Sequence, residues 1–402
     1  MIKIYWGVMK TLWKKILLLI TFIIAILIVT SIILAKKLTK KETPIKIGIV
    51  STLTGSGSTT GIQVRDAAIL AAEEINQRGG INGRMIELII KDDKFDPEEA
   101  LRVDHALIDN GVVAIIGHVY STLAVKTVPL MNKKNILLIS PTVKSDELTG
   151  LDDNLLKLNI PLDKDAKITA QMAFSRLNLK NVAVVYDMIN PKFTESTFNH
   201  FKLEFEKLGG IISAAITFNS KENFTAKNIA KKIIKSKAKG IYIITDAIHA
   251  ALICQHLRIN NCNIKIIVSE WALTDLVFVY DGGNSIEKSI GISSFYINSN
   301  NEKFLDFKSN YLDRFGQIAS TFTAQPSYEA MQILSYALSK TDDPKKLKDI
   351  ILKQKTFDGL DGKIVFDKYG DCLRNLYILE IQNSKLSAIE KITVEELLEN
   401  EN

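Results

Sequence analysis

The sequence predicts an α/β chain of two doubly wound lobes carried behind a single N-terminal transmembrane helix. Its 402 residues exceed the roughly 250 to 300 that one hydrophobic core usually supports. From residue 45 onward, strand-like and helix-like runs alternate as they do in parallel βαβ units. Ahead of them stands an uncharged run of 20 residues, Ile16 to Ala35.

That run, ILLLITFIIAILIVTSIILA, would span roughly 30 Å as a helix, the depth of a bilayer's hydrocarbon core. A cleaved signal peptide has a shorter apolar region, about 7 to 15 residues, and small residues before its cut site. Here Ile33-Leu34-Ala35 sets a large residue three positions back, and the first cysteine, which lipoprotein processing would need just after the span, is Cys254. The expectation is an uncleaved anchor at 16–35, with a basic tail at 1–15 and a linker at 36–44. Four lysines flank the run on each side, so the positive-inside rule does not orient it.

Net charge is +6, but its location matters more than its size. Residues 1–45 hold eight lysines against Glu42, a surplus of +7, which leaves −1 for the rest of the chain. The basic balance belongs to the anchor, and nucleic-acid binding loses its main support. Three cysteines without CxxC spacing make neither a disulfide framework nor a zinc site. Cys254 and Cys262 could pair only if the loop between them folds back, and buried free thiols are the simpler expectation.

After the linker, strands are expected at 45–50, 85–91, 112–116 and 136–139, with helices near 62–77, 97–109 and 121–132. The first of these helices carries Val64, Ala68, Ala71 and Ile75 on one stripe and stops at Gly79-Gly80, while Pro97 suits a first helical turn. A second set follows Pro161: strands at 181–186, 211–218, 240–245 and 265–268, helices near 164–177, 193–208, 224–236 and 248–259. Later segments (strands 290–296, 363–367 and 375–382; helices 302–315, 324–340 and 344–353) are too few for a third lobe and are expected to complete the first two. The acidic end, VEELLENEN, reads as a solvated tail.

The first strand-to-helix turn contains Gly55-Ser-Gly57-Ser-Thr-Thr-Gly61. A dinucleotide fingerprint is one residue shorter, and a phosphate-binding Walker loop needs a lysine that this segment lacks. The loop is therefore read as a close backbone approach to something small, or as an ordinary helix cap. At Gly117-His118-Val119-Tyr120-Ser121-Thr122 another strand gives way to a helix. Hydroxyls and unpaired N–H groups gather there at a positive dipole end, which favours a carboxylate, although serine and threonine also cap helices routinely.

Catalysis finds no constellation. The chain has no G-x-S-x-G, no H-E-x-x-H and no supported Cys/His pair. His249 and His256 are seven apart on an expected helix, and Asp92-Asp93 would point to opposite faces of a strand end. No enzyme, cofactor or metal is expected.

Several stretches together carry a resemblance: Ala71 to Arg84 (AAEEINQRGGINGR), Asp92 to Ala100 (DDKFDPEEA), Gly117-His118, Ser140-Pro141-Thr142, Glu147-Leu148-Thr149 and Gly362 to Asp367 (GKIVFD). In this order they resemble the type I periplasmic solute-binding proteins, nearest the leucine/isoleucine/valine-binding group. The resemblance covers 45 to about 385. It implies two Rossmann-like lobes joined by three crossovers, near Leu158–Leu162, Gly291–Tyr296 and Asp367–Cys372, which enclose a ligand between them. The lobes would comprise 45–160 with 292–369, and 161–291 with 370–392, leaving 393–402 as the tail.

The resemblance further implies that Ser121 and Thr142 hold a ligand's α-carboxylate and that Glu270 meets its ammonium from the second lobe. A cleft tyrosine of the family matches Phe193 here, and another second-lobe contact matches Asp246. Where relatives continue with a hydroxyl, this chain has Val143-Lys144; Lys144 would clamp the ligand's acid or point to solvent. Tyr120 and Trp271 are candidates for the side-chain pocket, against the plainer reading of packing. The extra acid and base suit a polar or charged amino acid better than an aliphatic one. The implied role is an extracytoplasmic receptor that delivers an amino acid or similar zwitterion to the permease and ATPase of an ABC-type importer. The alternative is the sensor component of a signalling system, which would need a partner protein.

Overall fold

The computed structural model describes residues 2–39, 43–222, 224–273 and 276–399. Residues 40–42 of the expected linker and 400–402 of the expected tail lie outside them. Five Val/Ile/Leu-rich runs form the first sheet: β1 (Ile45–Ser51), β2 (Ile86–Asp92), β3 (Ala114–Ile116), β4 (Leu137–Ser140) and β5 (Leu155–Lys157). They pair in parallel in the order β2-β1-β3-β4-β5. Central strands of such a sheet are covered on both faces, which is why β1, β3 and β4 read as near-continuous apolar runs and are almost wholly buried.

The second sheet takes β6 (Asn181–Asp187), β7 (Ile211–Phe218), β8 (Gly240–Ile244), β9 (Lys265–Val268) and β10 (Ile290–Ser293). The chain then builds a small antiparallel sheet from β11 (Thr356–Gly359), β12 (Gly362–Phe366) and β13 (Cys372–Leu373). Ile364, Phe366 and Cys372 of this sheet pack into the first lobe's core with Ile47, Leu156 and Leu334. Finally β14 (Leu376–Gln382) and β15 (Lys385–Ile392) return antiparallel to the second sheet, whose order is β15-β14-β10-β9-β8-β6-β7. The result is an α/β fold of two lobes with a mixed second sheet.

Turn chemistry agrees with the elements. Asp96 accepts the N–H groups of Glu98 and Glu99 at the head of the helix Pro97–Asp109, and Asp246 does the same for Ile248 and His249 at the helix Ala247–Ile259. The N-terminal helix runs Ile2–Thr39, and its segment Trp13–Ser31 is unburied and long and apolar enough to cross a membrane. The three cysteines are free thiols; burial pushes that of Cys254 up to about 12.

One expectation fails at the C-terminal end. Instead of a solvated tail from 393, Val394–Glu399 forms a helix with Val394 and Leu397 buried. Thr393 caps it, exchanging hydrogen bonds with Glu396, and the Val394 N–H is held by the Asn375 side chain. Acidic composition hid two apolar residues one helical turn apart.

Candidate functional site

The glycine loop after β1 serves an aromatic side chain rather than a phosphate. Gly57 has φ +87, and a Cβ there would lie 2.2 Å from the Tyr120 hydroxyl, which donates to the Gly57 carbonyl at 3.3 Å. Gly61 lets the helix Ser58–Gln77 start directly over β1, since a Cβ would meet the Thr52 carbonyl oxygen at 1.9 Å. Tyr120 is thereby fixed flat against Phe95, ring centroids 3.8 Å apart, at the mouth between the lobes.

The turn after β3 and the turn after β4 are stitched together by their own hydroxyls. Ser121 Oγ donates to the Lys144 carbonyl at 2.7 Å and accepts the Lys144 N–H at 3.1 Å. Thr142 Oγ1 donates to the Val119 carbonyl at 2.6 Å, and Ser140 Oγ to the His118 carbonyl at 2.8 Å. These hydroxyls spend their donors on the protein, and at the start of the helix Ser121–Lys134 the Leu123 and Ala124 N–H groups bond the Tyr120 carbonyl, so the helix-start N–H that is held from the other lobe is that of Thr122. There Thr122 gives both its N–H and its hydroxyl to Asn190 Oδ1 of the other lobe, at 3.1 and 3.0 Å.

Opposite stands Trp271, edge-on to Tyr120 with centroids 6.2 Å apart and to Phe193 at 6.1 Å. Ser121, Thr142, Tyr120, Phe193 and Trp271 all line one small hollow of about 20 Å³, with Thr60, Asn190 and Phe322. Directly adjoining it, Tyr120 and Trp271 also border a cavity of about 310 Å³. One wall is the glycine loop, Phe95 and Phe322, and the other carries Asp246, His249 and Trp271. Asp246 sits there as a helix cap whose second oxygen is 2.5 Å from His249 Nδ1. Burial works against a charged His249, yet the hydrogen bond and charge of Asp246 raise its pKa overall.

Among the described residues, Asp187, Asp246 and His249 form the one group with metal-ligand spacing. Their oxygens are engaged: Asp187 accepts the N–H groups of Ile189 and Ser220 and the Thr245 hydroxyl. The donor set therefore makes no case for a metal.

Lys144 neither reaches for a ligand's acid nor points to solvent. It is 3% exposed, and its ammonium lies 2.7 Å from Glu270 Oε2 and 2.9 Å from Asp165 Oδ2. Burial alone would lower the Lys144 pKa, but the two carboxylates raise it overall, so it stays charged. Glu270 Oε1 accepts the Ser293 hydroxyl at 2.9 Å and the Ser294 N–H at 2.6 Å, and Oε2 also accepts Asn159 Nδ2 at 3.3 Å. Lys144 and Glu270 border neither the small hollow nor the larger cavity. Sequence reasoning missed Asp165, which carries no motif. It also passed over Asn190, although Asn190-Pro191 after a strand is a helix-start signal that would have drawn attention to that turn.

Further contacts cross between the lobes at the rim. Lys192 pairs with Glu147, His200 Nε2 lies 2.8 Å from Asp146 Oδ1, and Lys221 Nζ donates to the Phe95 carbonyl at 3.3 Å.

Comparisons with known proteins agree with this architecture. The family model described as periplasmic binding protein matches residues 44–385. The leucine-, isoleucine-, valine-, threonine- and alanine-binding protein of Pseudomonas aeruginosa is 24% identical, over 81% of this chain and 87% of its own. A Leu/Ile/Val-binding protein of Rhizobium johnstonii is 26% identical, over 81% of this chain and 88% of its own. Among solved structures, the branched-chain amino acid transporter substrate-binding protein LivJ of Streptococcus pneumoniae, in complex with isoleucine, superposes with a TM-score of 0.79. It is 25% identical and covers 87% of this chain and 99% of its own. Two α/β lobes facing each other across an aromatic-walled cleft, matched over most of the chain by a solute-binding family without catalytic activity, place this chain in the periplasmic binding protein family, among the relatives of the Leu/Ile/Val-binding proteins.

Proposed function

We propose that this protein is a membrane-anchored extracytoplasmic receptor. It captures a small carboxylate-bearing solute of amino-acid size between its lobes and hands it to the permease and ATPase subunits of an ABC-type importer. The cavity of about 310 Å³ between Tyr120 and Trp271 carries this reading, because both lobes contribute its walls and a solute there would be enclosed by their approach.

The acid end of the solute belongs at the start of the helix Ser121–Lys134. Asn190 Oδ1 accepts there from the Thr122 N–H and hydroxyl, and a carboxylate oxygen is a stronger acceptor of the same geometry. Ser121 and Thr142 act by holding the two turns in register, so that the Thr122 N–H faces the second lobe. Tyr120, Phe193 and Trp271 supply apolar contact, and Asp246 with His249 borders the polar side. The names of the relatives support an amino-acid-sized solute, and the apolar helix Trp13–Ser31 supplies the anchor.

A thermal-shift screen across amino acids, amides and small carboxylates tests the reading. A true ligand at a hundredfold excess over its Kd stabilises by about 2.7 kcal/mol. No stabilisation by any member of the screen, with calorimetry agreeing, would contradict it.

A further inference from the structure

We propose that Lys144 permanently supplies the ammonium that Glu270 would otherwise take from a ligand, so that the solute of this protein is a small carboxylate with an apolar body and no amine beside its acid. The proposal rests on the solute-capture reading above and narrows its ligand class.

Glu270 is the residue that the family resemblance assigned to a ligand's amine. A carboxylate offers about four acceptor positions, and Glu270 receives Lys144 Nζ, Asn159 Nδ2, the Ser293 hydroxyl and the Ser294 N–H. An incoming amine would have to expel a group already in place. The natural one to leave is Lys144, and three observations hold it there. Its backbone N–H and carbonyl are both bonded to Ser121 Oγ, so the residue cannot slide. Its ammonium is shared with Asp165, at 2.9 Å, as well as Glu270. Lys144 and Glu270 are each 3% exposed, so breaking the pair strands charge away from water, which is costly.

The larger cavity is consistent with what remains. It is bordered by Phe95, Tyr120, Trp271 and Phe322, with the hydroxyls of Thr59 and Thr60 on one side, and Glu270 lies one residue before the lining Trp271 without bordering it. A flat or branched hydrocarbon body fits such walls. A second cation would enter an aromatic slot whose nearby carboxylate, Asp246, is already paired with His249.

The test is calorimetry on the full-length protein with acids matched in pairs that differ only by the amine: 4-methylpentanoate against leucine, and 3-phenylpropanoate against phenylalanine. The wild-type protein should bind at least one amine-free acid about tenfold or more tighter than its amino-acid partner, a difference of about 1.4 kcal/mol. Lys144→Met, which bares Glu270 while keeping the aliphatic stem, should erase or reverse that preference. Equal or tighter binding of the amino acids by the wild type would overturn the proposal, whether or not the variant folds. So would a folded Lys144→Met that keeps the wild-type preference. If the wild type binds neither member of either pair while other amino acids stabilise it, the amine-free class falls and solute capture stands. If nothing in the wider screen binds, capture itself fails, and the proposal with it.

Discussion

Lys144 and Glu270, 126 positions apart in sequence, meet at 2.7 Å across the seam between the lobes, with Asp165 as the lysine's second partner. Buried pairs contribute little when replaced whole but cost much when broken, because the remaining charge stays buried. Lys144→Met strands two carboxylates and should lower the free energy of urea unfolding by about 3 to 5 kcal/mol. Glu270→Ala leaves the lysine with Asp165 and should cost less. Equal, sub-kilocalorie effects for both would mean that the three groups are solvated in solution.

His118 provides a pH signature in the first lobe. It is fully buried, with Nδ1 3.0 Å from Asp93 Oδ2 and Nε2 3.1 Å from Asp104 Oδ2. Burial by itself would lower the imidazole pKa, but the two carboxylates outweigh it and raise it from 6.5 to about 10. A folded value above the unfolded one means that stability is fully present below pH 6.5 and is lost as pH rises toward 10. Chemical denaturation from pH 6 to pH 10 should show that decline, and His118→Gln should flatten it while lowering stability at neutral pH. A wild-type stability that is level across the range would show His118 neutral.

These two clusters mark where the sequence stopped being informative. The strands of both lobes were legible because parallel strands buried on two faces are written as Val/Ile-rich, near-continuous apolar runs, as in IKIGIVS and NVAVVYD. β5, only Leu155–Lys157, and β15, whose charges alternate with apolar residues, were not. In the site, a strand-to-helix turn pointed to the Ser121 corner and the family resemblance added Thr142, and both line one hollow with Tyr120, Phe193 and Trp271. What the turns could not announce was the partner of each polar group. Asp165 sits in the first turn of an unremarkable helix, and nothing local to Lys144 says that its ammonium will find it. Partner choice is a property of how two lobes meet, and single-chain spacing does not encode it visibly.

The glycine loop makes a separate prediction. Gly57→Ala forces an L-residue into a left-handed conformation, at about 1 to 2 kcal/mol, and drives a methyl group into the Tyr120 hydroxyl, 2.2 Å from an ideal Cβ. Thermal unfolding should occur at lower temperature. Adding Tyr120→Phe should recover part of the loss by removing the clashing oxygen, although the ring carbon at 2.9 Å remains tight. No recovery would show that the contact with the hydroxyl oxygen is not what costs the stability.

Asn190 bridges the lobes through the helix start at Thr122. Its replacement by alanine removes the second-lobe acceptor at the mouth, leaving the buried Lys144–Glu270 pair and rim pairs of a kind contributing about 0 to 1 kcal/mol each to hold the lobes together. Small-angle scattering of Asn190→Ala should report a larger radius of gyration than that of the wild type, increasing further at high salt as the Lys192–Glu147 pair is screened. Identical profiles would show that the lobes are held together elsewhere.

The most direct measurement is a crystal structure of the protein with its tightest-binding carboxylate. The account predicts the acid group on the Thr122 N–H and hydroxyl at the start of the helix Ser121–Lys134, the body of the ligand between Tyr120 and Trp271, and the Lys144–Glu270 contact intact. A ligand seated outside the cleft, or one whose amine rests on Glu270 with Lys144 displaced, would contradict it.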